Sequence, residues 1–375
     1  MPPLARRLLE WSRRDRSSAL TLASATLIAL VWANAAGDGY RRAGTTTLSW
    51  LRFTGLELSA RDWVNHGLMT CFFVLVGLEI RREMRAGELG TWRRASGPII
   101  AAIAGMAAPA LLYALIVHDG PGGHGWGIPM ATDVAFALGA LALAGSHASR
   151  RWRLFLMTLA VADDILAIAV LVVIYSARFD AVPASVGAAC LVAMAIVRAR
   201  RAGTAIPVAF AAIAWWCLAR AGLEAEIVGV AIGLAGLAGP RHGPRAWERR
   251  LQPAVSLLVL PAFALANTGV ELAHLDLGSK PALRLFVAVL VARLIGKPLG
   301  IGLAAGAVVQ GGRIRDRVGV GLAASVGFTV PLLIVRASFG EGPLAESATT
   351  ALLASTAIGA VMTFSLLRPR RGPEE

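Results

Sequence analysis

Long apolar stretches separated by short polar breaks run along nearly the whole chain. A bilayer-spanning α-helix needs roughly 20 apolar residues, and the stretches near this length predict twelve transmembrane helices. The predicted spans are 17–36, 63–80, 97–117, 127–144, 154–175, 183–199, 203–220, 224–239, 253–269, 283–310, 318–337 and 347–367. The pattern therefore predicts an all-α membrane protein whose transmembrane domain covers 17–367, with an N-terminal segment over 1–16 and a tail over 368–375.

Composition and charge agree with a membrane protein and assign an orientation. Hydrophobic residues make up 56% of the chain and charged residues 16%, whereas soluble domains carry about 25% charged residues. The net charge of +14 comes from basic residues clustered in the breaks. Of 37 basic residues, 26 fall on the side that holds both ends of the chain and 8 on the other, which predicts cytoplasmic termini. Because topology explains this charge, no nucleic-acid partner is predicted.

The longest loop predicted on the outer side covers residues 37–62. Within it, apolar and polar residues partly alternate from Thr45 to Ser59 around Gly55. Alternation around a turn residue is typical of a β-hairpin. The residues leave two interpretations open for this segment, a small extramembrane β-hairpin and an irregular loop.

Two predicted spans are interrupted by residues that break helices. The fourth span contains Pro129 followed by Thr132 and Asp133, and the eleventh is interrupted by Gly, Ser, Thr and Pro residues between Gly319 and Pro331. Interrupted spans at corresponding places in two halves are the best sequence indication of a transporter site. We therefore expect spans three to five and ten to twelve to form inverted repeats, each with a broken crossing helix as its second span.

Two adjacent aspartates lie at the centre of the fifth span. Asp163 and Asp164 are residues 10 and 11 of the 22-residue apolar run 154–175, which places them near the bilayer midplane. A charge at that depth costs at least ~2.5 kcal/mol, so the pair must face protein, water or a bound cation. Burial and a second acid both disfavour the ionised form, so a proton or a small hard cation can occupy the carboxylates in turn. Such alternating occupancy is what cation/proton exchange requires.

Three further polar residues are candidates for the same site. Asp133 is placed to balance the positive N-terminal ends of broken helices. Lys297, one of only two lysines, lies near the middle of its span, where it can balance C-terminal ends or pair with an acid; a snorkelling lysine is the alternative. Thr132 can supply an oxygen ligand to a cation or bond to its own helix backbone.

Parts of this pattern also fit functions other than ion exchange. An acid pair that only joins helices is one alternative, although a single acid would serve. Asp133 and Asp163 lie on separate spans, as an intramembrane aspartyl protease requires, but the Gly-x-Gly-Asp context of such proteases is absent. A channel, or a paralogue that binds ions without exchanging them, stays open. The residues favour a secondary transporter over an enzyme and predict no cofactor.

Several motifs follow one another along the chain. They are Asn65, Phe72-Phe73, Val76-Gly-Leu-Glu79, Gly125-Trp-Gly-Ile-Pro-Met-Ala-Thr132-Asp133-Val-Ala-Phe-Ala-Leu-Gly139, Ala162-Asp163-Asp164, Leu260-Pro-Ala-Phe-Ala-Leu-Ala-Asn267-Thr-Gly269, Gly296-Lys297-Pro298-Leu-Gly300 and Gly327-Phe-Thr329. Together they resemble the NhaA family of bacterial sodium/proton antiporters, and the resemblance runs over roughly residues 11–370.

The resemblance implies a multi-pass antiporter of the bacterial inner membrane that exports sodium or lithium and imports protons electrogenically, with a role in sodium and pH homeostasis. Asp163 and Asp164 match the ion- and proton-binding pair of the family, with Asp164 the direct cation ligand. Thr132 and Asp133 match its crossing residues, and Lys297 matches the lysine that pairs with the acids. The family dimerises partly through an outside β-hairpin, which implies a homodimer in membrane lipid and favours the hairpin interpretation of 45–59.

The resemblance also identifies a cytoplasmic cluster that responds to pH in the family. Its matching residues here are Glu79, Arg82, Glu83, Arg245 and Glu248. Other positions differ, because two family histidines are Arg249 and Gln252, a family His-Ala-Thr is Glu224-Ala-Glu226, and a family aspartate is His66. We therefore expect antiport with a shifted or flatter pH response.

Overall fold

The structure is a computed structural model that describes residues 3–48, 58–87, 90–118, 120–143, 150–175, 180–200, 205–236, 244–274, 277–308 and 313–367. Within these ranges the regular secondary structure is helical. The α-helices are α1 (Pro3–Ala35), α2 (Gly37–Thr45), α3 (Met69–Ala86), α4 (Trp92–Val117), α5 (Val134–Leu143), α6 (Arg150–Tyr175), α7 (Ala181–Ala199), α8 (Ala205–Arg220), α9 (Ala225–Ala235), α10 (Pro244–Ala254), α11 (Leu260–Asn267), α12 (Lys280–Val291), α13 (Lys297–Val308), α14 (Ile314–Ala324), α15 (Thr329–Phe339) and α16 (Pro343–Leu367). Three π-helical segments continue neighbouring helices, namely Trp63–Leu68 before α3, Val255–Val259 before α11 and Ala292–Gly296 before α13.

Several helical stretches are long and apolar enough to cross a membrane. Among the described residues there are seven, or eight if the bent pair α14 and α15 is one span. They are Ser17–Ala35, Ala60–Arg85, Ala95–Val117, Ala181–Ala199, Trp247–Asn267, Lys280–Gly306 and Pro343–Leu367. Large apolar side chains point outward, with Leu115 72%, Val173 81% and Leu303 76% exposed, as expected of a lipid-facing surface. A multi-span helical protein is confirmed, while the number twelve stays a prediction.

The predicted outer loop over 37–62 is partly helical, since α2 occupies its first nine residues. Beyond α2, Thr47 and Ser59 form an isolated antiparallel bridge, and the N–H of Leu48 donates to the carbonyl of Leu58 at 3.1 Å. Residues 49–57 lie outside the described part of the chain. The paired ends agree with a hairpin, but the hairpin itself stays a prediction.

Tyr40 attaches α2 to the end of α11. Its hydroxyl donates to the carbonyl of Leu265 at 2.8 Å and accepts from the N–H of Gly269 at 3.1 Å. Burial raises the pKa of the Tyr40 hydroxyl, so the group keeps the proton that it donates. Sequence patterning treated this region as a loop because short helices with few apolar residues carry little periodic signal.

The chain forms two compact units, and the first comprises Met1–Ala23, Trp92–Ala167 and Val270–Glu375. This unit contains both interrupted helices and the predicted repeats, except that residues 168–175 of the fifth predicted span belong to the second unit. Its core consists of side chains that are small or aliphatic, with a few aromatic ones. Examples are Ala101, Leu138, Leu156, Ile301 and Val320. Because lipid gives no hydrophobic drive between helices, close packing stabilises such a core.

The second unit comprises Ser24–Thr91 and Ile168–Gly269, and α3 packs closely against α9 within it. A side chain added at Gly233 would place its Cβ 2.5 Å from the carbonyl oxygen of Val74 and 2.8 Å from the Cα of Gly77. The two backbones therefore touch at a glycine pair, as in the small-residue interfaces of membrane helices. In the π-helical segment before α3, Asn65 exchanges two amide hydrogen bonds of 3.2 and 2.8 Å with Asn267 at the end of α11.

Gly233→Ala tests whether this backbone contact stabilises the second unit. The added methyl overpacks a site with no space for it, so we expect a loss of about 1–3 kcal/mol, measured as a lower unfolding midpoint of detergent-solubilised protein. Gly302→Ala is the matched control, because a Cβ at Gly302 in α13 meets nothing within 4 Å. The control should be neutral or slightly stabilising, and an equal loss in both variants would contradict the assignment.

Candidate functional site

The predicted fourth span is interrupted where the sequence indicated. A 3-10 turn over Gly123–Gly127 leads through non-helical residues 131–133 to α5. Asp133 directly precedes α5, and its Oδ1 accepts from the N–H of Phe136 at 3.4 Å. Its Oδ2 accepts from the hydroxyl of Thr329, the first residue of α15. Asp133 thus lies at the N-terminal ends of two half-helices, where a carboxylate can balance partial positive charge.

The predicted eleventh span is also interrupted, and its halves α14 and α15 meet at 52°. Gly327 lies in the break with φ of +137°, a conformation that favours glycine. A Cβ at Gly327 would lie 2.3 Å from the Cβ of Asp133 and 2.6 Å from its backbone nitrogen. The two breaks therefore pass each other at backbone contact, as expected of crossing helices.

The carbonyls at the end of α14 are satisfied one by one. The hydroxyl of Ser325 donates to the carbonyl of Leu322 at 2.7 Å, and the N–H of Val326 donates to that of Ala323 at 3.1 Å. Arg293 donates to the carbonyls of Ser325 at 2.6 Å and Gly327 at 2.5 Å. Because lipid offers no hydrogen-bond partner for these carbonyls, the bonds within the protein make a broken helix tolerable inside the membrane.

The acid pair and the predicted lysine meet beside the first break. The Nζ of Lys297 donates to Oδ2 of Asp163 at 3.1 Å and also to the hydroxyl of Thr132. Lys297 is 0% exposed, which rules out snorkelling, and Asp163, Asp164 and Thr132 are buried as well. Asp164 follows Asp163 on α6, about 100° further around the helix. The structure thus brings Thr132, Asp163 and Lys297 into direct contact and places Asp164 next to them.

Two residues of this site were absent from the candidates that the sequence suggested. Thr329 occurs there only as part of a motif, and Arg293 is not among the residues that the pattern singled out. A signal existed for Arg293, because it lies four residues before Lys297 and so on about the same helix face. Lys297 was expected to balance C-terminal ends or pair with an acid. It pairs with an acid, and Arg293 contacts the C-terminal carbonyls.

Most of the predicted pH-response residues form one cluster in the second unit. Arg82 on α3 donates to Glu248 on α10 at 2.7 Å and to Glu79 and Glu83 at 3.2 Å each. Three carboxylates therefore contact one guanidinium, and Glu248 is buried. The side chain of Arg245 lies outside those that the structure describes.

The structure also describes most of the positions at which this chain differs from the pattern that the resemblance implies. Arg249 and Gln252 are exposed on α10, and the side chain of Glu226 lies outside the described ones. His66 and Glu224 face each other with Nδ1 and Oε2 3.7 Å apart, and both line a cavity of about 210 Å³. The resemblance places an acid at position 66 and a base at position 224, so acid and base are exchanged relative to what it implies, and the two side chains lie close together.

Two interrupted helices that cross beside a buried acid–lysine pair define a class of protein, the secondary ion transporters. The family model for Na+/H+ antiporter 1 matches residues 10–367, so the chain belongs to this family. It is 37% identical to the Na(+)/H(+) antiporter NhaA of Nocardia farcinica, with 97% of this chain and 91% of the relative covered. It is 35% identical to the NhaA of Citrobacter koseri, with 96% and 97% covered.

A solved structure shows a similar fold. The sodium proton antiporter of Methanocaldococcus jannaschii superposes with a TM-score of 0.54 over 94% of this chain and 98% of its own. The sequences are 13% identical, so this likeness concerns the fold alone.

Gly327→Ala tests whether the two breaks depend on their close approach. A Cβ would strain a positive φ and also displace the backbone at Asp133, so we expect a large loss of thermal stability or of folded yield. Gly342→Ala is the matched control, because Gly342 has φ of +142° but meets nothing within 4 Å. It carries only the conformational strain, about 1–3 kcal/mol. Equal effects of the two substitutions would show that the contact with Asp133 is unimportant.

Proposed function

We propose that this chain is an electrogenic sodium(lithium)/proton antiporter that exports Na+ in exchange for protons across a bacterial inner membrane. The family and the relatives named above support sodium and protons as the transported ions. The observation that carries the proposal is the buried ion pair of Lys297 and Asp163, with Thr132 and Asp164 beside it. Charged side chains buried within a membrane span are costly, and those that occur there typically serve ion transport or proton relay.

The proposed exchange of Na+ for protons follows from the oxygen atoms to which Lys297 donates its hydrogen bonds. The ammonium of Lys297 bonds Asp163 and Thr132, and these are oxygen atoms that a small hard cation would also take as ligands. Asp164 adds a second carboxylate and is the proposed direct ligand. Binding of Na+ therefore competes with the ammonium and with protons on the carboxylates. Release of more than one proton for each Na+ makes the cycle electrogenic.

Alternating access is proposed to expose this site to each side of the membrane in turn. Both interrupted helices of the predicted inverted repeats lie in the first unit, where Gly327 and Asp133 meet, and the crossing point is the proposed centre of the movement. Because protons move inward down the proton-motive force, the exchange would drive sodium outward, and both termini are proposed to be cytoplasmic. A homodimer in lipid, assembled partly through the outer segment 45–59, belongs to the same proposal, as does a role in sodium and pH homeostasis.

Asp164→Asn should abolish sodium-induced proton movement. The amide keeps the size of the side chain but removes the charge that binds the cation. The measurement is the collapse of a preformed pH gradient in everted vesicles on addition of Na+, Li+ or K+. Asp180→Asn is the matched control, because Asp180 is an exposed N-cap of α7 and asparagine also caps helices.

Exchange at the wild-type rate in the Asp164→Asn variant would refute the site assignment. Wild-type protein that binds Na+ without moving protons would instead favour the alternative of an ion-binding or channel protein.

We further propose that the Arg82 cluster sets the pH range of transport. Glu79 and Glu83 lie on α3 with Arg82, whereas Glu248 lies on α10, so the Arg82–Glu248 contact joins the two helices and loss of the charge on Glu248 would weaken it. Because family histidines are replaced by Arg249 and Gln252, fewer groups that titrate near neutrality remain in this region. A shifted or flatter pH profile is the expected result.

Arg82→Gln should change this profile further, while the maximal rate changes less. The substitution removes the charge that faces Glu79, Glu83 and Glu248. The measurement is the vesicle assay between about pH 6 and 9, a range that covers histidine and perturbed carboxylate titration. Arg85→Gln is the matched control, because Arg85 is exposed one turn further along α3.

A steep switch near neutrality in the wild type would contradict the expected flat response. An unchanged pH profile in Arg82→Gln would exclude the cluster as the group that sets the pH range.

A further inference from the structure

Arg293 is a fully buried arginine within the stretch Lys280–Gly306, which is long and apolar enough to cross a membrane. Its side chain is 0% exposed, so it does not reach the lipid headgroups. A guanidinium at such a position is costly, and intramembrane charges of this kind pair with other groups or with backbone carbonyls. The transport scheme above makes no use of it, so its contacts must explain its presence.

The hydrogen bonds of Arg293 go to the backbone of both breaks. Its Nη2 donates to the carbonyls of Ser325 and Gly327, which lie between α14 and α15. Its Nη1 makes a longer contact of 3.5 Å with the carbonyl of Ala131, in the break before α5. One side chain therefore joins the two interruptions at the point where Gly327 lies against Asp133.

We propose that Arg293 is a positioning residue of the transport site: its guanidinium fixes the two breaks to each other and compensates the carbonyl end of α14. This inference rests on the proposed function insofar as it concerns transport. Thr132 follows Ala131 directly, so the carbonyl that Arg293 contacts is adjacent to a proposed ion ligand. Loss of Arg293 would displace Thr132 and Asp133 without removing any group that touches the ion.

The arginine also separates two tasks that a single lysine would otherwise share. Lys297 lies about one turn further along and contacts side chains, Thr132 and Asp163, whereas Arg293 contacts carbonyls. A guanidinium does not lose its proton in proteins, so compensation of the half-helix stays constant while the acid site exchanges protons. Its planar fork also reaches several acceptors at once, which a compact ammonium cannot do in the same way.

The test combines a structural measurement with a transport measurement. Hydrogen–deuterium exchange of the full-length protein in nanodiscs reports on the backbone amides of residues 127–136 and 322–330, with α8 as an internal reference. Sodium-dependent proton movement in vesicles gives the apparent KM for Na+. The variants are Arg293→Gln and Arg293→Lys, and Arg284→Gln is the control, because Arg284 lies on α12 with an exposed side chain.

In Arg293→Gln we expect faster exchange in both break segments but not in α8, and an apparent KM for Na+ raised at least about 10-fold. Arg293→Lys, which keeps the charge, should recover part of both effects, and Arg284→Gln should match the wild type. Unchanged exchange in both break segments of Arg293→Gln overturns the proposal. If Arg293→Gln does not fold, Arg293→Lys decides, because wild-type exchange and KM in that variant exclude a role for the fork.

Failure of the proposed function would give a different result. Wild-type protein would then move no protons on addition of Na+, while the exchange measurement would still show whether Arg293 holds the two breaks together.

Discussion

The structure of the first unit depends on one constraint, namely that an interrupted helix inside a bilayer must find partners for its free backbone groups. Water would satisfy these groups in a soluble protein, but each one left unpaired in hydrocarbon costs several kcal/mol. Here the N-terminal ends meet the carboxylate of Asp133 and the carbonyl end of α14 meets the guanidinium of Arg293. Polar residues of the site are therefore needed, before any role in transport, as partners for the free backbone groups at the breaks.

The same requirement prepares the surroundings for ion exchange. Fixed charges and oriented backbone dipoles in a dry interior interact strongly, so the protonation and ion occupancy of Asp163 and Asp164 depend on their neighbours. Lys297 lies within this field and bonds a carboxylate that a cation would also bind. Because Arg293 contacts the carbonyls, Lys297 is available for the acid pair. Structural compensation and the proposed ion competition are thus assigned to two cations about one helical turn apart.

Much of this site could be predicted from the sequence because polar residues inside long apolar runs stand out. Asp163, Asp164, Asp133, Thr132 and Lys297 were all identified in this way, and helix-breaking residues located both interruptions. The identity of the partners could not be predicted, since patterning does not show which helix face meets which backbone. Arg293 is the clearest case, as its role depends on carbonyls that are distant in sequence.

The fold was predicted less evenly, for a related reason. Continuous apolar helices such as α4 and α16 carry a strong signal, whereas α2 is short and polar and was expected to be loop. Tyr40 shows what the pattern lacks, because it packs against Ala29 and Ala33 of α1 and forms hydrogen bonds with the end of α11, and the short polar sequence of α2 indicates neither contact. The count of spans depends on how broken and short helices are divided, which length and hydropathy alone do not determine.

In the second unit, the contact between His66 and Glu224 pairs a base with an acid. The resemblance to the family places an acid at position 66 and a base at position 224, whereas this chain has His66 and Glu224, whose Nδ1 and Oε2 atoms lie 3.7 Å apart. The contact therefore still brings one acid and one base together, and either order gives the same attraction when both are charged. The base lies in the π-helical segment before α3 and the acid directly before α9, so the same two segments meet whichever of them carries the base. The contact can thus hold these segments together while the residue types at its two ends change places.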